Sequence, residues 1–239
     1  VKPYYDHAGI TIYLGDCREI LPQLPACDLL LCDSPYGSGL SVDYAEKFQP
    51  GKSQWWQNSD RHLSTRHHSK HIFGDTEPFD PSHLLKHPAN VHVLWGANWY
   101  ANRLPDSGGW WVWDKRNGQR DVTESDWPMG EGELAWTDKG KGVRIFRHTW
   151  FGLIRDSERG KHLHPTQKPV ALMVWCIERS GTSGLILDPY MGSGPVLEAA
   201  KMLGRKAIGI EIEECYCEKA AKRLSQEVMN FQSHEVCTA

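Results

Sequence analysis

The sequence predicts an α/β fold: a doubly wound, mostly parallel sheet with an antiparallel strand. Three observations predict it. Strand-like runs alternate with helical patterns along most of the chain, the order that places helices on both faces of a parallel sheet. Leu29–Cys32 and Leu185–Leu187 are unbroken apolar runs, as strands buried on both faces require. Both runs also end alike, the first in Asp33-Ser34-Pro35-Tyr36 and the second in Asp188-Pro189-Tyr190-Met191-Gly192-Ser193-Gly194. In an open α/β sheet, ligands collect beyond the carboxyl ends of the strands, so two such loops seat two ligands side by side.

Taken in order, Thr11–Leu14 reads as a strand ending at Gly15-Asp16. Cys17 to Leu24 suits a short helix, with Asp16 as N-cap and Glu19 at the capping-box position. Asp28–Cys32 is the next strand. Periodicity is then lost from Gly37 to Gly74, which is rich in Ser, Gln, Asn, His and Gly. An insertion of that length is functional or disordered. Asn90–Trp95 resumes a strand, and Asn98–Leu104 reads as a short helix. Trp110–Trp113 and Leu134–Thr137 are two further strands, and the alternation of Val143–Trp150 fits an edge or antiparallel strand. Val170–Arg179 is helical. Leu185–Leu187 is a strand, Pro195–Leu203 a helix, Ala207–Ile210 a strand and Tyr216–Val228 a final amphipathic helix with a frayed tail.

At 239 residues the chain suits one domain, 1–239, with a loop insertion at 37–74. No run of 18 or more apolar residues marks a membrane span, and Val1–Tyr5 has no signal-peptide core, so a cytoplasmic setting is expected. Cys27, Cys32 and Cys176 lie in apolar runs and read as small core residues. Cys215 and Cys217 form a C-x-C without a matching pair, so no structural zinc is expected. With a net charge of −3, any nucleic acid must be held by local patches. Lys47–Gly74 and Lys139–Lys161 are two such basic stretches, or else solvated loops.

The motifs carry chemistry of their own. Gly192 and Gly194 let a turn approach a ligand closely, and Pro195 opens the following helix, whose N-terminus favours an anionic group. Glu211 ends the next strand about 20 residues further on, the spacing at which a carboxylate takes a ribose hydroxyl pair. A helix N-terminal charge is its other reading. The histidines His62, His67, His68 and His71 include one pair four apart, suited to a metal on a helix face. That segment lacks an apolar stripe and carries arginines, so a DNA-facing or disordered loop is the better reading, and no metal is expected. Of eleven tryptophans, Trp95, Trp113 and Trp175 read as core or sheet-packing residues.

These residues resemble a family. Asp188–Gly194 looks like the S-adenosylmethionine-binding motif of DNA amino-methyltransferases, which modify exocyclic amines of adenine or cytosine. His164-Pro165-Thr166-Gln167-Lys168-Pro169 is similar to that family's other cofactor motif, and Asp33–Tyr36 to its catalytic Asp-Pro-Pro-Tyr. The catalytic motif comes first, the circularly permuted order of the β group. The resemblance runs from about Thr11 to Leu224, and Trp110–Lys115 and Glu133–Thr137 also look family-like.

The resemblance implies a seven-stranded Rossmann-like methyltransferase sheet, S-adenosylmethionine as cofactor, and double-stranded DNA as partner, with a monomer and a homodimer both open. It implies cofactor-binding roles for Asp188, Tyr190, Gly192, Ser193, Gly194 and Glu211. His164, Thr166 and Lys168 border the methionine part, unless Lys168 is a surface lysine. Asp16 lies near the adenine, unless it is only a helix N-cap. A small target-recognition region is implied at 118–161. Adenine N6 is the first choice of target, because a leading Asp is commoner in adenine enzymes, with cytosine N4 the alternative. RNA or protein methylation and a catalytically inactive nucleic-acid-binding module are more distant readings.

The catalytic segment makes physical sense independently. An aromatic amine is a poor nucleophile because its lone pair is conjugated into the ring. Acceptors for both amine hydrogens free that lone pair to point at the electrophile. Asp33 offers a carboxylate and residue 34 a backbone carbonyl. Pro35 stiffens the turn, and Tyr36 offers a stacking face to an extruded base. Ser34 departs from the family's usual proline: its carbonyl is retained and its rigidity lost.

Overall fold

The computed structural model describes residues 1–37, 74–106, 108–117, 130–151, 154–158 and 167–225. Eleven strands fall within them: β1 Tyr5–His7, β2 Ile10–Leu14, β3 Cys27–Asp33, β4 Ala89–Trp95, β5 Gly109–Asp114, β6 Gly132–Thr137, β7 Gly142–Arg147, β8 Trp150–Phe151, β9 Ile154–Arg155, β10 Ile186–Asp188 and β11 Ala207–Glu211. The described α-helices are α1 Cys17–Ile20, α2 Ser82–Lys86, α3 Val170–Ser180, α4 Pro195–Met202 and α5 Glu214–Ser225. The insertion at 37–74 lies almost wholly outside the described residues, as do part of 118–161, the histidine cluster and the chain beyond Ser225.

Nine strands form one sheet, in the order β1-β2-β11-β10-β3-β4-β6-β5-β7. Seven of them, β2, β11, β10, β3, β4, β5 and β7, run the same way. The reversed strand β6 is inserted between β4 and β5, and β1 adds an antiparallel edge. The expected mixed, mostly parallel sheet is therefore present with two strands more than seven. The three-residue β1 is too short to leave an apolar pattern. Val143 and its neighbours form the edge strand β7, parallel to β5 rather than antiparallel. Its residues are mostly exposed, and Arg144 and Arg147 put charge on an edge that would otherwise template further pairing.

The sheet is buried on both faces because apolar residues alternate across it. Leu29, Leu31, Val93 and Trp95 face α3, α4 and α5 in one core cluster. Leu30, Cys32, Leu94 and Leu187 face Ile20 and Leu84 of α1 and α2 in the other. Cys27, Cys32 and Cys176 are buried as expected, and Trp95 and Trp113 are almost wholly buried. Trp175 packs edge-on to Trp111, with ring centroids 5.1 Å apart.

Two expected helices are shorter. Pro22 converts the end of the first into a 3-10 turn, Leu21–Gln23, so α1 covers four residues. Between Asn98 and Leu104 there is no α-helix but two 3-10 turns, Ala97–Trp99 and Ala101–Arg103, entered through Gly96 at φ 74°. No described helix is long and apolar enough to cross a membrane.

Candidate active site

Four neighbouring parallel strands, β2, β11, β10 and β3, each end in an acid at the same edge of the sheet: Asp16 (after Gly15), Glu211, Asp188 and Asp33. Neighbouring strands lie about 4.8 Å apart, so the four carboxylates span one continuous rim.

At the β10 end, Asp188 is buried. Its Oδ1 accepts from the Tyr190 N–H at 3.1 Å, and no described cation pairs with it. Burial pushes its pKa well above the ordinary aspartate value. The loop beyond it turns through Gly192 at φ 51° and Gly194 at φ 80°, both in the left-handed region that favours glycine. Pro195 then opens α4.

Glu211 secures this loop. Its Oε2 accepts from the Gly192 N–H at 3.0 Å and its Oε1 from the Glu213 N–H at 2.8 Å, while burial raises its pKa. Ser193 is buried and donates to the Gln167 side chain at 3.2 Å, which ties Gln167 to the loop. Gln167 in turn donates to Glu158 at 2.8 Å. Tyr190 turns its hydroxyl to His83 of α2, 2.8 Å away, and packs edge-on against Phe79.

Asp16 does cap α1, accepting from the Arg18 N–H at 2.9 Å. The Arg18 guanidinium also bonds its carboxylate and lowers its pKa. His164 and Thr166 lie outside the described residues.

At the β3 end, Asp33 is enclosed in a network of far-separated residues. The Tyr36 hydroxyl donates a short hydrogen bond to Asp33 Oδ1. Lys168 is buried, with Nζ 2.6 Å from Asp33 Oδ2, 2.8 Å from Glu133 Oε2 and 2.8 Å from the Tyr36 hydroxyl. Lys115 pairs with the other oxygen of Glu133.

Burial raises Asp33, opposed by Lys168 and reinforced by Glu133. Burial would also raise Glu133, but Lys168 and Lys115 together bring it to about 2. Burial disfavours the Lys168 ammonium, yet Asp33 and Glu133 hold its pKa above the ordinary lysine value. Tyr36, raised far above the usual tyrosine range by burial and by the two acids, stays a neutral donor.

The loop backbone is fixed too. Asp75 Oδ1 accepts from the N–H groups of Tyr36 at 3.0 Å and Gly37 at 2.9 Å. Gly96 lies against the Tyr36 ring, where any side chain would collide with it. Ser34 is buried, and its Oγ has no hydrogen-bond partner among the described residues.

The motif residues Asp33 and Tyr36 are thus brought together with Lys168, which faces them rather than solvent. Gln167, Asp75, Gly96, Lys115 and Glu133 are additional supports. The last two had one signal: both lie in stretches that look family-like.

Residues 27–223 match the model of the N6_N4_Mtase family, described as DNA methylase. The chain belongs to that DNA methylase family. This methylase is 25% identical over 254 residues to the type II methyltransferase M2.DpnII of Streptococcus pneumoniae, covering 95% of this chain and 93% of the relative. Its fold is similar to that of M1.HpyAVI in a complex with SAM, at 23% identity and a TM-score of 0.53, over 90% of this chain and 99% of that one. It is similar also to PvuII DNA methyltransferase, a cytosine-N4-specific enzyme, at 16% identity and a TM-score of 0.60, over 97% and 91% of the two chains. The methylase is a DNA amino-methyltransferase, of adenine or cytosine, and its cofactor is S-adenosylmethionine.

The donor set fits that cofactor. Asp188 is a buried carboxylate without a described cation, suited to an ammonium, and Glu211 beside it retains lone pairs for hydroxyl donors.

Proposed function

We propose that this methylase modifies adenine N6 in double-stranded DNA on a base turned out of the helix. The observation that carries the reading is adjacency. β3 and β10 pair directly, so the Asp33–Tyr36 loop and the Asp188–Gly194 loop lie side by side at the sheet's carboxyl edge. S-adenosylmethionine, when bound, supplies an electrophilic methyl group. Asp188 and Glu211, with Gly192, Ser193 and Gly194 in the adjoining loop, Lys168, and Asp16 at the far strand, make up the proposed cofactor-binding set, to which the sequence motif adds His164 and Thr166, outside the described residues. Tyr190 acts in it by bracing the loop against His83.

Asp33 and the Ser34 carbonyl accept the two amine hydrogens and so free the lone pair. Pro35 fixes the turn, and the Tyr36 ring stacks on the base. Holding the reactants in line in a site with fixed charges provides most of the acceleration, and no covalent enzyme intermediate is needed.

Adenine is favoured because Asp stands at position 33, the residue commoner in the adenine enzymes of this family. Cytosine N4 is the second reading. RNA or protein methylation has less support, and an inactive binding module fits poorly with an intact Asp33 network. One domain with a recognition region at 118–161 goes with this reading, as does a cytoplasmic setting. The described cysteines are all free thiols, in keeping with a reducing compartment.

The test is nucleoside analysis of duplex DNA treated with protein and cofactor, followed by mapping of modified bases. N6-methyladenine is expected. N4-methylcytosine would reverse the base assignment, and unmodified DNA in the presence of bound cofactor would remove DNA as the substrate of this chain.

A further inference from the structure

Asp33 cannot be understood from its own segment. Its two nearest polar partners are Tyr36 and Lys168, and Lys168 is shared with Glu133, which lies across the sheet on β6 and is itself clamped by Lys115 beyond β5. The four charged groups form a neutral set of two carboxylates and two ammoniums, drawn from strands β3 and β6 and from the segments after β5 and before α3.

We propose that Lys168 and Glu133 are positioning residues for methyl transfer: Lys168 orients the Asp33 carboxylate and keeps it ionised as an acceptor for the target amine, and Glu133 sets how much of the Lys168 charge Asp33 receives. The proposal rests on the reading of Asp33 as the amine acceptor.

The geometry supports each part. Tyr36 donates to Oδ1 and Lys168 to Oδ2, so the carboxylate plane is fixed from both sides. Each oxygen keeps a second lone pair for the incoming amine. Without Lys168, a largely enclosed carboxylate would take up a proton and become a donor on one oxygen, which is the wrong polarity for an amine hydrogen. Glu133 competes for the same ammonium through Oε2, at 2.8 Å against 2.6 Å for Asp33. Lys115 limits that competition by occupying Glu133 Oε1. Among the described residues, the titratable and charged groups facing Lys168 are Asp33, Tyr36 and Glu133. Lys115 acts one bond further out.

This arrangement predicts shifts of opposite sign. Lys168→Met removes the cation from Asp33, so its titration should move up by about 1–3 pH units. Glu133→Gln removes the competing anion, leaves Lys168 to Asp33 alone, and should move the titration down. A merely structural role would move both in one direction or neither.

The experiment is a carbon-13 NMR titration of the Asp33 carboxyl in the free, full-length protein, assigned with Asp33→Asn. It is paired with the pH dependence of the single-turnover methylation rate, whose acid limb should follow the same two shifts. Restored orientation in Lys168→Arg should bring the limb back toward that of the unmodified protein. Opposite shifts confirm the proposal; equal-signed or absent shifts overturn it. If Lys168→Met does not fold, the downward shift in the near-isosteric Glu133→Gln decides alone, its absence counting against the proposal. The titration needs no methyl acceptor, so a failure of the DNA reading shows only in the rate.

Discussion

Asp188 and Asp33 end neighbouring strands, yet their surroundings differ in kind. Asp188 is buried against a backbone N–H with no described cation beside it, whereas Asp33 is paired with Lys168 and the Tyr36 hydroxyl. The difference matches what each side is proposed to receive. S-adenosylmethionine brings positive charge in its sulfonium and ammonium, so a pocket proposed to await it needs no protein cation beside its carboxylate. A nucleobase amine arrives neutral, so the carboxylate proposed to meet it is balanced by the protein itself.

The comparison breaks most sharply at Asp33. Asp33→Ala should lower the single-turnover methylation rate by about 10²–10³-fold, the scale of losing one oriented transition-state group. Cofactor affinity by calorimetry should be nearly retained. A loss of affinity as large as that in Asp188→Ala would erase the distinction between the two ends.

Asp188→Asn should act in the opposite way, weakening cofactor binding by about 2–3 kcal/mol, the range for hydrogen bonds to charged groups. It should also stabilise the free protein near neutral pH. The folded pKa of Asp188 is raised, so the folded state binds a proton more readily than the unfolded one. Its contribution is thus lost as pH rises from the ordinary aspartate value of about 4 through the raised one. Asp188→Asn removes that loss, and its advantage in thermal melting should vanish at the acid end. Equal melting at all pH values would mean that Asp188 has a counter-charge in the free protein.

What the sequence disclosed follows the same division. The strand, turn and helix of the proposed cofactor side were legible because their parts are contiguous: an apolar run, an acid, a glycine turn and Pro195 follow one another along the chain. The proposed catalytic side was legible only as far as Asp33–Tyr36. Glu133 and Lys168 lie 97 and 132 residues from Tyr36, and only the insertion of β6 between β4 and β5 brings Glu133 to the rim. Gly96 was invisible for a related reason. Its need for a bare Cα comes from the Tyr36 ring of another strand's loop, while the helix expected at Asn98–Leu104 is broken at Tyr100, whose backbone at φ −132° and ψ 28° leaves the helical region.

A smaller effect sharpens the cofactor side. Glu211→Ala should weaken cofactor binding by about 1–3 kcal/mol through loss of hydrogen bonds to the ribose. Part of that loss is indirect, because Glu211 also holds Gly192 in place. Glu211→Gln retains an acceptor for the loop and should lose less. Unchanged affinity in Glu211→Ala would move the ribose site elsewhere.

The smallest effect is expected at Ser34, on the catalytic side. The proposed amine geometry needs a main-chain carbonyl there, which every residue supplies, with Asp33 as the other proposed acceptor. The Ser34 hydroxyl is buried without a partner among the described residues, an arrangement that costs stability. Ser34→Ala should therefore keep its methylation rate while gaining about 1 kcal/mol in unfolding free energy. Ser34→Pro should be tolerated as well and speed the chemical step by stiffening the turn. Single-turnover rates on adenine-containing and cytosine-containing duplexes separate this from its rival. If the hydroxyl instead contacts the target base, Ser34→Ala will lose most of its activity or change the base it methylates, and the unpartnered hydroxyl will prove to be a specificity group awaiting its ligand.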